Sequence, residues 1–232
     1  MKSALITYFI AGSVFLALDA FFVFFLLPLQ HRKRYQKPYS FLREFPFELI
    51  EWRENRLPSA RFVVLLGSIA FFGTGGYFLS MVSISPSFLG MAIMVLVMAT
   101  LSAVGFSFLF FVKAFHVKSH MFSMLIFGFA SILFDVMSII AFLHFDDHFM
   151  SLKVLFSCLL GLFALIKLVL LINPKLKDWA KLDSSIDQTG AVIHSRPKIF
   201  LIATTEWTLI VLHFLSALFS MLAFFLLILP LI

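Results

Sequence analysis

The run Gln30–Arg61, QHRKRYQKPYSFLREFPFELIEWRENRLPSAR, is a charged island in an otherwise apolar chain. It holds Arg32, Lys33, Arg34, Lys37, Arg43, Arg53, Arg56 and Arg61, eight of the 18 Lys and Arg residues. Hydrocarbon rejects such a run, and short loops rich in Lys and Arg stay on the cytoplasmic side of a bilayer. The island therefore assigns a side, and every apolar stretch can be counted outward from it.

Composition sets the class. The 232 residues are 62% hydrophobic and 13% charged, with a mean hydropathy of +1.05, whereas soluble domains are about a quarter charged. The chain reads as a polytopic membrane protein, and its 33 Phe residues suit a lipid-facing surface. Spans of about 20 residues each use up nearly the whole length, so a single membrane domain over 1–232 is expected, without a separate soluble domain. The net charge of +6 does not indicate nucleic acid, because the basic residues lie in short loops where topology already explains them. The partners they imply are the lipid bilayer and its anionic headgroups. Cys158, the single cysteine, lies in an apolar stretch, so an intramolecular disulfide is excluded.

Six spans are expected, at about 4–29, 62–83, 88–112, 121–143, 149–172 and 199–229, joined by cytoplasmic loops 30–61, 113–120 and 173–198. Lys2 alone precedes the first span while His31-Arg32-Lys33-Arg34 follows it, which places the N-terminus outside. That apolar run is too long for a cleavable signal, and no small-residue cleavage site precedes the basic cluster. Lys113 and Lys118 fall in the second inside loop, and Lys175, Lys177, Lys181, Arg196 and Lys198 in the third. An N-out, C-out bundle satisfies the charge rule at every loop. The halves show no repeat of the kind inverted-repeat transporters carry.

The loops have patterns of their own. Phe41, Phe45, Leu49 and Trp52 recur at helical spacing among Glu44, Glu48, Glu51 and Glu54, and Pro46 suits a first helical position. An amphipathic helix is expected there, either lying in the cytoplasmic interface or packed on the protein. Leu176, Trp179, Ala180 and Leu182 suggest a second short interfacial helix. Gly67, Gly73, Gly75 and Gly76 in the second span point to close approach of a neighbouring helix.

Asp19, Asp135, Lys167, Glu206 and His213 fall inside the spans. A charge at the bilayer centre costs about 2.5–3.5 kcal/mol on insertion scales, so such residues face the bundle interior. Helical spacing supports this, since Gly128, Ser131, Asp135 and Ser138 share one face, Glu206, His213, Ser216 and Ser220 another, and Lys153, Ser157, Ala164 and Lys167 a third. Tyr8, Gly12 and Asp19 share a face of the first span. Counted from the cytoplasmic ends at about 1.5 Å per residue, Lys167 and Glu206 are shallow, Asp19 intermediate, and His213 and Asp135 deep. The pattern suggests a staggered ladder with more acids than lysines. The competing reading has Lys167 and Glu206 snorkelling to the surface and the other groups acting as polar glue between helices.

Two histidine pairs have metal-like spacing, His116 with His120 and His144 with His148, the latter around Asp146 and Asp147. Span four separates them, so a shared di-metal centre is not expected. His144, Asp146, Asp147 and His148 remain a candidate outer metal site, with Met91, Met94 and Met98 on one nearby helix face, against the reading that the methionines fill gaps. The inner pair is expected to touch headgroups or solvent. No nucleotide loop, hydrolase triad signature, H-E-x-x-H or redox Cys pair is present, so the residues name no cofactor and no catalytic reaction.

The sequence thus predicts an all-α bundle of six transmembrane helices with amphipathic cytoplasmic loop helices, in a cell membrane. Two functional classes follow. One is a small transporter, or a transporter subunit, moving a proton, cation or small solute past the intramembrane acids and His213. The other is a non-catalytic accessory or scaffold subunit whose polar residues and basic connector bind a membrane partner.

Overall fold

A computed structural model describes residues 2–50, 58–83, 86–113, 117–144, 150–178, 182–186 and 192–228. Among them are six helices long and apolar enough to cross a membrane. The first begins as α1 (Lys2–Phe21), passes through a π-helical turn at Phe22–Leu26 and continues as α2 (Leu27–Tyr35). The others are α4 (Pro58–Ser80), α5 (Leu89–Phe111), α6 (Val117–His144), α7 (Met150–Leu171) and α8 (Leu201–Ile228), with the short α3 (Pro46–Ile50) between the first two spans.

The first helix does not stop at Leu29. It runs through the basic cluster to Tyr35 and ends at Gln36, whose φ of 53° is left-handed. Arg32, Lys33 and Arg34 occupy its last turn, where cations oppose the negative end of the helix dipole. The Gln36 side-chain amide donates to the Lys33 carbonyl at 3.3 Å, satisfying one of the groups a helix end leaves open.

The six helices pack as a ring in chain order, with α8 closing onto α1 and also touching α4 and α6. In their most apolar windows 61% of α8 is buried, against 17% of α7 and 22% of the first span, so α8 is the most enclosed member of the ring. Phe78, Phe142 and Phe224 interlock near one end of it, and Phe71, Phe106 and Phe214 further along. Outward residues such as Val14, Phe25, Phe62, Leu133 and Leu165 are exposed, as a surface solvated by lipid tails allows. Close helix approach rests on two glycines in particular. A Cβ on Gly105 would lie 2.7 Å from the Phe127 Cα, and one on Gly75 2.8 Å from the Leu96 Cα, so α5 meets both of its neighbours backbone to backbone.

The chain is not all-α. Asp183–Ile186 and Val192–Ser195 pair as an antiparallel hairpin, Asp183 opposite Ser195. The expected second interfacial helix is reduced to a 3₁₀ turn at Pro174–Asp178, and Leu182 lies just ahead of the first strand. Asp and Ser side chains compete with a helix for nearby backbone groups, which disfavours one at Asp183-Ser184-Ser185. Trp179 and Ala180 lie outside the described residues.

Candidate functional site

The basic connector folds back under the bundle. Phe45 precedes Pro46 at the start of α3, and Glu48, three residues on, accepts from the Phe45 backbone N–H at 2.7 Å. This is the reach-back half of a capping box. The same carboxylate receives both arms of Arg196, at 2.7 and 2.8 Å. Arg196 also donates to the Arg43 carbonyl at 3.1 Å, and Arg43 returns a bond to the Arg196 carbonyl at 2.8 Å. Burial opposes charge on Arg196, but the Glu48 carboxylate outweighs it and holds the guanidinium pKa above its usual value.

Tyr39 completes this clasp. Its hydroxyl donates to the Phe45 carbonyl at 2.7 Å, and the Trp207 indole N–H donates to the Glu44 carbonyl at 2.9 Å and to the Tyr39 oxygen at 3.2 Å. Burial, with Glu48 and Glu44 nearby, keeps the phenol pKa well above its ordinary value. Phe45 and Leu49 are 2% and 0% exposed, so this part of the connector packs on protein rather than lying on the membrane surface. Trp52 lies outside the described residues.

Directly above the clasp lies the first buried couple. His120 Nε2 is 2.7 Å from Glu206 Oε1, and its Nδ1 is 2.8 Å from the Val112 carbonyl. A carbonyl only accepts, so Nδ1 carries a proton and Nε2 faces the carboxyl. Phe45 and Phe47 stand edge-on to the imidazole at 5.2 and 5.7 Å. This corrects two expectations: His120 is not at headgroup level, and Glu206 does not snorkel, both being at most 2% exposed. Neither group can reach solvent past the connector's phenylalanines. His116 lies outside the described residues.

The second cluster sits deeper on the same seam. Lys167 of α7 donates to Asp135 of α6 at 2.7 Å, to the Ser216 hydroxyl of α8 at 2.9 Å and to the Ser131 carbonyl at 3.4 Å. Ser216 passes its own proton to the Leu212 carbonyl at 2.8 Å, and Ser131 Oγ bonds His213 Nδ1 at 2.9 Å. Phe71, Phe127 and Phe134 enclose the His213 ring, with centroids 4.5–5.4 Å away. Lys167 and Asp135 are both 0% exposed, so the lysine does not snorkel.

Depth is where counting along the chain misleads. Leu171, the last residue of α7, packs where a Cβ on Gly128 would stand, and Gly128 lies about 16 Å along α6 from Val117 at helical rise. Helix α7 thus ends well short of α6, and the lysine stem, which leans toward the start of its own helix, carries Nζ further inward. The shallow lysine and the deep aspartate of the ladder are therefore one level.

Asp19 stands apart. It is 0% exposed, neither oxygen has a hydrogen-bond partner among the described residues, and it fills the space beside Gly67 together with Phe106. Phe9, Gly12, Leu16, Asp19 and Val23 form the inward stripe of the first helix, and Gly12 lies against Met221. Tyr8, at the edge of that stripe, is 56% exposed, so it does not share the buried face with Gly12 and Asp19 as expected. Lys153 is 1% exposed, buried like Lys167 on α7.

Of the candidate metal residues, His144 is exposed at the end of α6, and Asp146, Asp147 and His148 lie outside the described residues. Among the described residues no three His, Cys, Asp or Glu side chains converge on a metal position.

Fold and site together define a six-helix membrane protein with two ionisable couples sealed in its interior. No protein-family model, curated protein or solved structure matches the chain.

Proposed function

We propose that this multi-pass protein forms one cell-membrane domain, N-out and C-out, that moves a proton or small cation along the seam between α6 and α8. The observation that carries the reading is the alignment of two sealed couples on one face. Glu206 and His213 are seven residues apart on α8, and His120 and Ser131 eleven apart on α6, both close to whole numbers of turns. The His120–Glu206 couple and the Asp135–Lys167–His213 cluster thus lie roughly 10 Å apart along α8, with Phe127 against His213 between them. His120 Nε2 and Glu206 Oε1 are 2.7 Å apart, within the reach that proton exchange between two titratable groups needs. Buried ionisable groups in membrane spans are expensive, and they recur along ion and proton pathways.

The mutual satisfaction of Asp135 and Lys167 favours a second reading, in which the charges only knit helices together and the protein is an accessory subunit with a membrane partner. Proton and cation flux in proteoliposomes separates the two. Asp135→Asn and Glu206→Gln are expected to lower flux at least tenfold while the protein still elutes as a folded species. Wild-type flux in both variants overturns the relay and leaves the accessory reading.

A further inference from the structure

We infer a binding site for one anionic phospholipid on the outer face of α5 and α6, independent of the interior seam. Two cavities of about 370 Å³ each lie on this side of the bundle. One is an apolar groove floored by Leu101 of α5 and by Phe122, Ile126, Phe129, Ala130 and Leu133 of α6. Phe122 is 63% exposed and Phe129 49%, so the groove opens sideways to the lipid. The other is a pocket at the basic end, lined by Phe111, Val112, Lys113 and Ser119.

Helical spacing aligns them. Ser119, Phe122, Ile126, Phe129, Ala130 and Leu133 fall on one face of α6, which puts the polar pocket at the basic end of the groove's own face. Ser119 to Leu133 spans about 21 Å of rise, more than the roughly 15 Å of one leaflet's hydrocarbon. The groove can therefore hold an acyl chain along its full leaflet depth.

The charge sits at the correct end for an anionic headgroup. Lys113 lines the pocket, Lys118 is exposed one residue from Ser119, and the Ser119 hydroxyl offers a hydrogen bond. No acidic side chain occurs in α5 or the first turns of α6, and the two carboxylates acting on His120, Glu206 and Glu48, are held by that histidine and by Arg196. A lysine near an anionic headgroup contributes about 1 kcal/mol, or roughly fivefold in occupancy. The shape selects an acyl chain, and the lysines select the anion.

Native mass spectrometry on the full chain in mild detergent tests this, with phosphatidylglycerol or phosphatidylcholine added separately. We expect one phosphatidylglycerol retained per chain, favoured over phosphatidylcholine by roughly fivefold for each of Lys113 and Lys118. Lys113→Ala should lower that preference about fivefold while still binding either lipid weakly. Leu125→Trp, which thickens a groove wall, should release both lipids, and Ile69→Trp on the exposed face of α4 should release neither. Equal retention of the two lipids by wild type, an unchanged preference in Lys113→Ala, or undiminished binding in Leu125→Trp each overturns the site. Flux does not enter this readout, so its failure is separate from failure of the relay.

Discussion

Asp135–Lys167 and Arg196–Glu48 have similar short contacts, at 2.7 Å each, but their surroundings differ. The first is 0% exposed on both sides, and the second 32% and 26%. The interior pair joins two spans away from any exposed surface, and Lys167 takes two further acceptors to complete its shell. The clasp pair is bidentate and ties two connectors together below the bundle. Burial makes the first pair costly to break from one side. Partial exposure softens the second, because water can take over from a lost partner. The difference teaches that charge inside this bundle sets which helices meet, whereas charge at its basic end sets how the connectors close over them.

The sharpest way to break the comparison is Lys167→Met. It strands Asp135 in the bundle and is expected to cost about 3 kcal/mol or more, read as lost thermal stability in mild detergent. Adding Asp135→Leu should recover most of that loss, since an apolar pair of similar volume is often as stable as a buried ion pair. A double variant as unstable as the single one would show that the two charges do not depend on each other. If the double variant regains stability and still carries no flux, the pair acts in transport and not only in packing.

Arg196→Gln should have a smaller effect, about 1–2 kcal/mol, discounted for its exposure. Its signature is local: protease cleavage in the connector should speed several-fold while the helices stay protected. Uniform loosening of α6–α8 instead would mean that the clasp supports the interior directly.

Tyr39→Phe should cost least, about 1 kcal/mol for the lost donor, and its value lies in pH. The buried phenol's pKa is raised, so its contribution is complete below the unfolded value near 10 and is lost as pH climbs toward the folded value. Wild type is expected to loosen its connector above about pH 10, and the variant should lack that phase. An identical alkaline profile in both would remove Tyr39 from the clasp's titration.

Much of this was legible along the chain. The helices occupy the six apolar stretches because span length is dictated by hydrocarbon thickness and hydropathy records it directly. The inward stripes of α6 and α8 were readable because a polar group in a membrane helix has one acceptable direction. Ser131, Asp135, Ser138, Glu206, His213, Ser216 and Ser220 are all at most 1% exposed. The hairpin at Asp183–Ser195 was missed because four-residue strands of mixed polarity carry almost no periodic signal. His120 as the partner of Glu206 was missed because it opens α6, where a histidine reads as a loop residue. The available clue was its spacing of eleven from Ser131, which puts both on one face.

By itself the sequence determined the class of molecule, the number of spans and the faces that must turn inward, since these follow from local hydropathy and helical period. Tertiary structure alone decided which charges meet. The offset of α7 against α6 and the folding of Tyr39–Ile50 beneath α8 pair Lys167 with Asp135 and seal His120 onto Glu206. Relative helix height depends on side chains packing across the whole bundle, and no stretch of chain carries that information within itself.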